Sequence, residues 1–207
     1  MNTHSSLLPR HRGPNPFTAV ILSGDAESGV TFHVMEPGID TGDIVDQTAF
    51  PLTKDETMTS VYRRSCDLAS ERVGAVMDRI ETEGLGGTPQ AAADATYEKK
   101  AEKGDARIRW EMTAVEIDRL VRAFAPSPMP WFMHGGREVK VMRVHYDETP
   151  TDAAPGTVLA DRPHAVVATG AGTVTLRSAY TNSPFPFPWP TPFGERLVDK
   201  VLEAGDA

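Results

Sequence analysis

What the 207-residue sequence has little of bounds it first. It holds one cysteine, Cys66, which excludes an internal disulfide framework and makes the reducing cytoplasm the expected compartment. No apolar run is long enough to span a bilayer. The opening Met-Asn-Thr-His lacks a basic segment followed by an apolar one, so no secretory signal is expected. Positive charge is short too: 21 Lys and Arg stand against 29 Asp and Glu, a net charge of −8. Proteins that grip nucleic acid usually carry a basic stripe, so this balance counts against RNA binding. The six histidines, His4, His11, His33, His134, His145 and His164, show no metal-ligand spacing with cysteine or paired carboxylates, and no metal is expected. There is no glycine-rich phosphate cradle and no internal repeat. What remains, 40% hydrophobic and 24% charged, is ordinary globular composition.

Along the chain, the first residues read as a strand end followed by a loop. Asn15 and Pro16 then form a helix start, Phe17 to Leu22 fill the helix, and Gly24 ends it. Val30, Phe32 and Val34 alternate with Thr31, His33 and Met35, as in a strand with two distinct faces. Ile44 to Phe50 reads as a second strand. The strongest helix is expected over 55–83, with Val61, Leu68, Val76, Met77 and Ile80 near one face and Cys66 as a small buried thiol. Residues 88–104 read as a surface connection. Thr113 with Glu116 forms a capping-box pattern ahead of Ile117, Leu120, Val121 and Phe124, and Pro126, Pro128 and Pro130 close that helix. Four short β-rich runs follow, at 138–144, 156–159, 165–169 and 173–176, spaced as in a small antiparallel barrel or sheet. Trp131 and Phe132 read as core. Residues 183–192 carry five prolines among Phe185, Phe187 and Trp189, which suits a loop, and a last helix is expected over 193–204.

Two places could carry chemistry. Asn2 and His4 are two apart, and on a strand that spacing puts both side chains on one face. An amide donor and an imidazole could polarise one carbonyl oxygen. Spacing alone fits a polar pair bonded to nearby backbone more readily, because short motifs match by accident. The second place is Pro37-Gly-Ile-Asp-Thr-Gly-Asp43, where glycines let backbone approach a ligand and Asp40 could accept a proton. A local Asx turn explains that loop as well. Arg10 and Arg12 could meet an anion or simply face solvent.

Taken together, Asn2-Thr-His-Ser-Ser-Leu-Leu-Pro-Arg-His-Arg-Gly13, Gly29-Val-Thr31 and Gly38-Ile-Asp-Thr-Gly-Asp43 resemble the folate-dependent formyltransferases. Ile108-Arg-Trp110 and Arg122-Ala-Phe-Ala-Pro-Ser-Pro128 resemble the start of the C-terminal domain of methionyl-tRNA formyltransferase-like proteins. The resemblance implies an α/β fold: the C-terminal part of a Rossmann-like domain over 1–95, then a small β-rich, OB-like barrel domain over 96–207. It implies that Asn2, His4 and Asp40 are catalytic. Ser6, Leu7, Leu8, Pro37, Gly38 and Ile39 would wall the site of the donor, 10-formyltetrahydrofolate. An acceptor amine would attack the formyl carbon while Asn2 and a protonated His4 stabilise the oxyanion. Asp40 would keep His4 charged. The implied acceptor is initiator methionyl-tRNA. The alternatives are a small amine such as hydroxyornithine or an amino sugar, hydrolysis of the formyl donor, or a non-catalytic remnant that binds RNA, folate or a partner. The family's half-Rossmann region precedes the Asn-x-His strand, whereas Met1 stands directly before Asn2 here. An N-terminally truncated chain, poorly active alone, is therefore expected, with a separate polypeptide as one source of the missing strands.

Overall fold

Alternation and capping account for most of the elements in the computed structural model, which describes residues 1–181 and Leu202. The proline-rich segment 183–192 and all of the last expected helix but Leu202 lie outside the described residues. Contacts divide the chain into two units, Met1–Ala101 and Glu102–Ala207.

In the first unit the elements are β1 (Asn2–His4), α1 (Pro16–Ser23), β2 (Glu27–His33), β3 (Ile44–Pro51) and α2 (Met58–Glu83). The strands form one antiparallel sheet in the order β1-β2-β3, with Asn2 opposite His33 and His4 opposite Thr31. Because a strand's side chains alternate, β2 shows its two faces to different surroundings. Val30 and Phe32 join Val45 and Val76 in the core, with Val34, Leu68, Ala69 and Ile80 packed against them. Each such burial stabilises the fold by roughly 1.5–3 kcal/mol. Thr31 and His33, on the other face, are left for polar contacts. Pro16 opens α1, and Gly24 closes it in the left-handed conformation at φ 69°. Asn15 precedes Pro16 but does not cap through its side chain, which donates to the Lys99 carbonyl at 2.9 Å.

Two expectations for α2 are corrected. Met77 is 51% exposed and Cys66 is exposed. The helix buries Val61, Ser65 and Val76, and a residue one position on is turned by about 100°. Cys66 and Met77 each follow a buried residue and so point away. The helix also begins at Met58 rather than at residue 55, since Thr57 and Ser60 form a capping box.

Residues 84–101 do more than connect. Thr88 exchanges backbone hydrogen bonds with Ile44 at 2.8 and 2.9 Å, the Thr96 carbonyl accepts from the Arg12 amide at 2.9 Å, and the Glu98 amide donates to the Arg12 carbonyl at 2.7 Å. The segment is a strap across the loop that follows β1.

Among its described residues, the second unit holds α3 (Ala114–Phe124) and five strands: β4 (Trp131–His134), β5 (Arg137–Asp147), β6 (Val158–Ala160), β7 (Val166–Ala168) and β8 (Thr173–Thr181). All pairings are antiparallel, in the order β4-β5-β8-β7-β6. Register shifts at Val141–Val144 in β5 mark bulges, which bend a sheet. Thr113 caps α3 with Glu116, as the sequence pattern requires. Ile117, Val121, Phe132, Val139, Val141, Val167, Val174 and Leu176 are buried, and Trp110 packs edge-on to Phe132 at 5.1 Å between ring centroids. The hairpin β4–β5 was hidden in the sequence behind three prolines. Its turn is Gly135-Gly136, both at positive φ (56° and 70°), the glycine pair that a tight hairpin accepts. The fold is mixed α/β, with a β-rich second unit.

Candidate active site

Strand pairing, not chain proximity, assembles the polar cluster of the first unit. β1 carries Asn2 and His4, β2 lays His33 opposite Asn2, and the loop after β2 returns Asp40 to the same place. His4 Nδ1 stands 3.5 Å from Asp40 Oδ2, and His33 Nε2 stands 3.5 Å from Asp40 Oδ1. Asn2 Nδ2 donates to His33 Nε2 at 3.1 Å, and His33 Nδ1 donates to the Val34 carbonyl at 2.8 Å. His4 and Asp40 are thus brought face to face, and Asn2 reaches them through His33. Sequence reasoning did not single out His33 as a site residue. The signal was present in its alternation with Phe32, which puts it on the face opposite the core.

The loops that place these groups are held tightly. Asp40 has φ 53°, in the left-handed region that Asp tolerates better than most residues. The Gly13 amide donates to Asp40 Oδ2 at 2.8 Å. Gln90 Nε2 donates to the carbonyls of Asp40 and Gly42 at 2.9 and 2.7 Å, and Gln90 Oε1 accepts from Arg12 Nε and Nη2 at 3.1 and 2.7 Å. A Cβ on Gly42 would overlap the Val34 carbonyl, so close backbone approach requires glycine there. Arg10 pairs with Asp25 at 2.8 Å. Both arginines flanking the turn therefore have partners within the chain.

His4 is buried at 7% exposure. Its Nε2 donates to the His11 carbonyl at 2.8 Å. A carbonyl only accepts, so the hydrogen is on Nε2, and in the neutral ring the lone pair is on Nδ1, facing Asp40. Burial pushes the imidazole below its ordinary value. The His11 carbonyl and the Asp40 charge oppose that push, and His33 and His11 add to it. Desolvation disfavours the charged form, and burial is the largest of these influences.

Of the other residues named from sequence, Ser6 and Leu8 are buried and serve the turn. Ser6 Oγ donates to the Arg10 carbonyl at 2.7 Å, Thr31 Oγ1 donates to the Ser6 carbonyl at 2.6 Å, and the Leu8 amide donates to Thr31 Oγ1 at 3.2 Å. Gln47 Nε2 completes the turn with bonds to the Leu8 carbonyl and Thr31 Oγ1, both 2.9 Å. Leu7 is half-buried, and Pro37, Gly38 and Ile39 are exposed. Ile39, at 57% exposure directly before Asp40, offers an apolar surface beside the polar cluster. A separate cavity of about 410 Å³ is lined by Leu7, Arg10, His11, Asp25 and Ser28 among others.

An antiparallel sheet presenting this cluster, followed by a β-rich unit, defines a class. The chain belongs to the formyl transferase family: the formyl transferase model matches residues 1–77, and the model of the formyl transferase C-terminal domain matches residues 100–183. Among solved structures it is similar to HypX from Aquifex aeolicus in complex with tetrahydrofolic acid, at 25% identity and a TM-score of 0.69, over 90% of this chain and 33% of that one. It also shares its fold with the N-formyltransferase from Helicobacter canadensis solved with folinic acid and dTDP-3-aminofucose (22%, TM-score 0.68, 84% of this chain and 64% of that one). A third is methionyl-tRNA formyltransferase from Clostridium thermocellum (19%, TM-score 0.55, 71% and 63%). The chain spans a third of the length of HypX and less than two thirds of the other two. Among the described residues, no helix is long and apolar enough to cross a membrane.

Proposed function

We propose that this chain carries the reacting groups of a formyltransferase that moves a formyl unit from 10-formyltetrahydrofolate to an amine. The observation that carries the reading is His4: a buried imidazole with one ring nitrogen committed to a carbonyl and the other turned to Asp40 at 3.5 Å. Such a nitrogen is a proton acceptor whose charged form gains a carboxylate partner as soon as it appears.

The reaction follows from that asymmetry. The acceptor nitrogen attacks the formyl carbon, and the C=O becomes an oxyanion. The Asn2 amide is the donor available to that oxygen. The amine proton passes to His4 Nδ1, where the Asp40 carboxylate stabilises the imidazolium. As the tetrahedral centre collapses, the bond to the folate nitrogen breaks, and His4 returns the proton to that nitrogen. The products are the formamide and tetrahydrofolate. Leu7, Pro37, Gly38 and Ile39 supply partly apolar surface suited to a flat folate ring. The first unit, Met1–Ala101, is the catalytic part, and the second, Glu102–Ala207, is the accessory β-rich part. The net charge of −8 favours a small-molecule amine over a tRNA acceptor.

The test is a single-turnover reaction, with the chain in excess over 10-formyltetrahydrofolate and a panel of amines including amino sugars, hydroxyornithine and methionyl-tRNA. Products are read by mass. A formylated amine that disappears with Asp40→Asn supports the reading. Release of formate without transfer, or transfer unchanged in Asp40→Asn, sinks it.

A further inference from the structure

We propose that His11 is a positioning residue that fixes which nitrogen of His4 carries the hydrogen. The proposal rests on the reading of His4 as the proton acceptor.

A neutral imidazole beside a carboxylate would ordinarily turn an N–H toward it. For His4 that would place the hydrogen on Nδ1, against Asp40, and leave the lone pair on Nε2 against the His11 carbonyl. The arrangement is the reverse because the His11 carbonyl stands 2.8 Å from Nε2 and accepts only. The orientation of one carbonyl therefore decides whether His4 presents a lone pair or a hydrogen to the reacting side.

That carbonyl does not fall into place unaided. His11 has φ 56°, a left-handed conformation in which a Cβ crowds the following carbonyl oxygen. Such outliers persist only where the surroundings over-determine them. Here they do. The His11 side chain is 4% exposed, with Asp25 Oδ2 at 2.8 Å from Nε2 and Glu98 Oε1 at 2.9 Å from Nδ1. Arg10 holds the other oxygen of Asp25 at 2.8 Å. The His11 amide donates to Thr96 Oγ1 at 2.7 Å, and the strap at 96–98 pairs with Arg12 next door. With both ring nitrogens occupied, His11 is unavailable for proton transfer. Its side chain acts as a buried bolt, and its backbone does the positioning.

The experiment uses the full chain with ¹⁵N-labelled histidine. The two ring-nitrogen shifts of His4 are read above its titration in the wild type, His11→Ala and Thr96→Ala. The wild type should show a protonated Nε2 and an unprotonated Nδ1. Both variants should gain an Nδ1–H population while the backbone spectrum stays folded. In the transfer assay kcat should fall with the donor KM unchanged. Should His11→Ala unfold, Thr96→Ala and Glu98→Gln each remove one bond and keep the ring. A pure Nε2–H signal in every folded variant overturns the proposal. The tautomer is read without substrate, so a chain that transfers no formyl group still tests the role of His11. Conversely, a transfer rate insensitive to Asp40→Asn would refute the catalytic reading and leave the tautomer result standing.

Discussion

Within the first unit, His4, Ser6, His11, Ser28, Thr31, His33 and Ser65 are buried polar side chains; among the described residues of the second, only Asp118 and Thr169 are. The second unit instead buries Ile108, Trp110, Ile117, Phe132 and a set of valines contributed by α3 and four of its strands. Burying a polar group costs free energy unless it is hydrogen-bonded, and the cost recurs at each such group. The first unit meets much of it with shared partners, while Ser28 Oγ and Ser65 Oγ are buried without one. Thr31 Oγ1 alone donates to the Ser6 carbonyl and accepts from the Leu8 amide and Gln47 Nε2. The second unit has few such groups to satisfy, and its stability comes from apolar area. A unit that fixes polar groups in unusual backbone conformations is built to hold chemistry. A unit with an apolar core is built to hold shape.

The largest effect that tests this contrast is Asp40→Asn. Asn keeps an oxygen for the Gly13 amide but cannot stabilise a charged His4. Turnover should fall by roughly 10²–10⁴-fold, the range for a lost acid–base partner, while unfolding free energy changes by less than about 1 kcal/mol. Rate and denaturant measurements on the same sample would expose a structural role if stability fell as well. Phe132→Ala should do the opposite. Its buried ring meets Trp110, and truncation should cost about 3–5 kcal/mol in unfolding free energy. The His4 ring-nitrogen shifts should stay where they are. If they move, the division between chemistry and scaffold is wrong.

The same contrast explains what was legible in the sequence. Thr113 and Glu116 announced α3 because a capping box is local chemistry. The valine and phenylalanine alternation announced β2 because pleating is local geometry. Asn2, His4 and Asp40 could be named because they fall in a resembling pattern. His33 could not, because only the β1–β2 register puts it against Asn2. The strap at 96–98 was invisible for the same reason: its hydrogen bonds are made by backbone and by Thr96, at positions that show no periodicity. Cys66 and Met77 were misplaced because a 26-residue helix buries a narrow stripe, and one step along it is a large rotation. The downward push on the His4 pKa comes chiefly from burial, which a motif does not encode.

A smaller perturbation separates backbone fit from side-chain chemistry. Gly42→Ala places a Cβ against the Val34 carbonyl, and overpacking of this kind costs about 1–3 kcal/mol. The strain should fall on the Asp40 loop, so the spectrum of the labelled chain should shift at Asp40 and Gln90 before the core valines respond. A variant as stable and as active as the wild type would show that the loop has room it does not display.

The smallest expected effect is a pH dependence carried by His4. Its folded pKa lies below the ordinary 6.5, chiefly through burial, so the unfolded chain takes up the proton first as pH falls. Stability from this group is complete above about pH 6.5, the unfolded value, and is lost as pH drops from there toward the depressed folded value. Each unit of depression is worth about 1.4 kcal/mol. His4→Gln removes the titration while leaving an amide donor for the His11 carbonyl. The difference in unfolding free energy between wild type and this variant should therefore narrow or reverse on acidification. The acid limb of transfer should follow the same titration, because the protonated ring cannot accept the amine proton. In Asp40→Asn the loss of a charge that raises the His4 pKa should move that limb to lower pH. A limb that moved upward instead would mean that Asp40 does not stabilise the charged imidazole, and the first unit would lose its claim to be the chemical one.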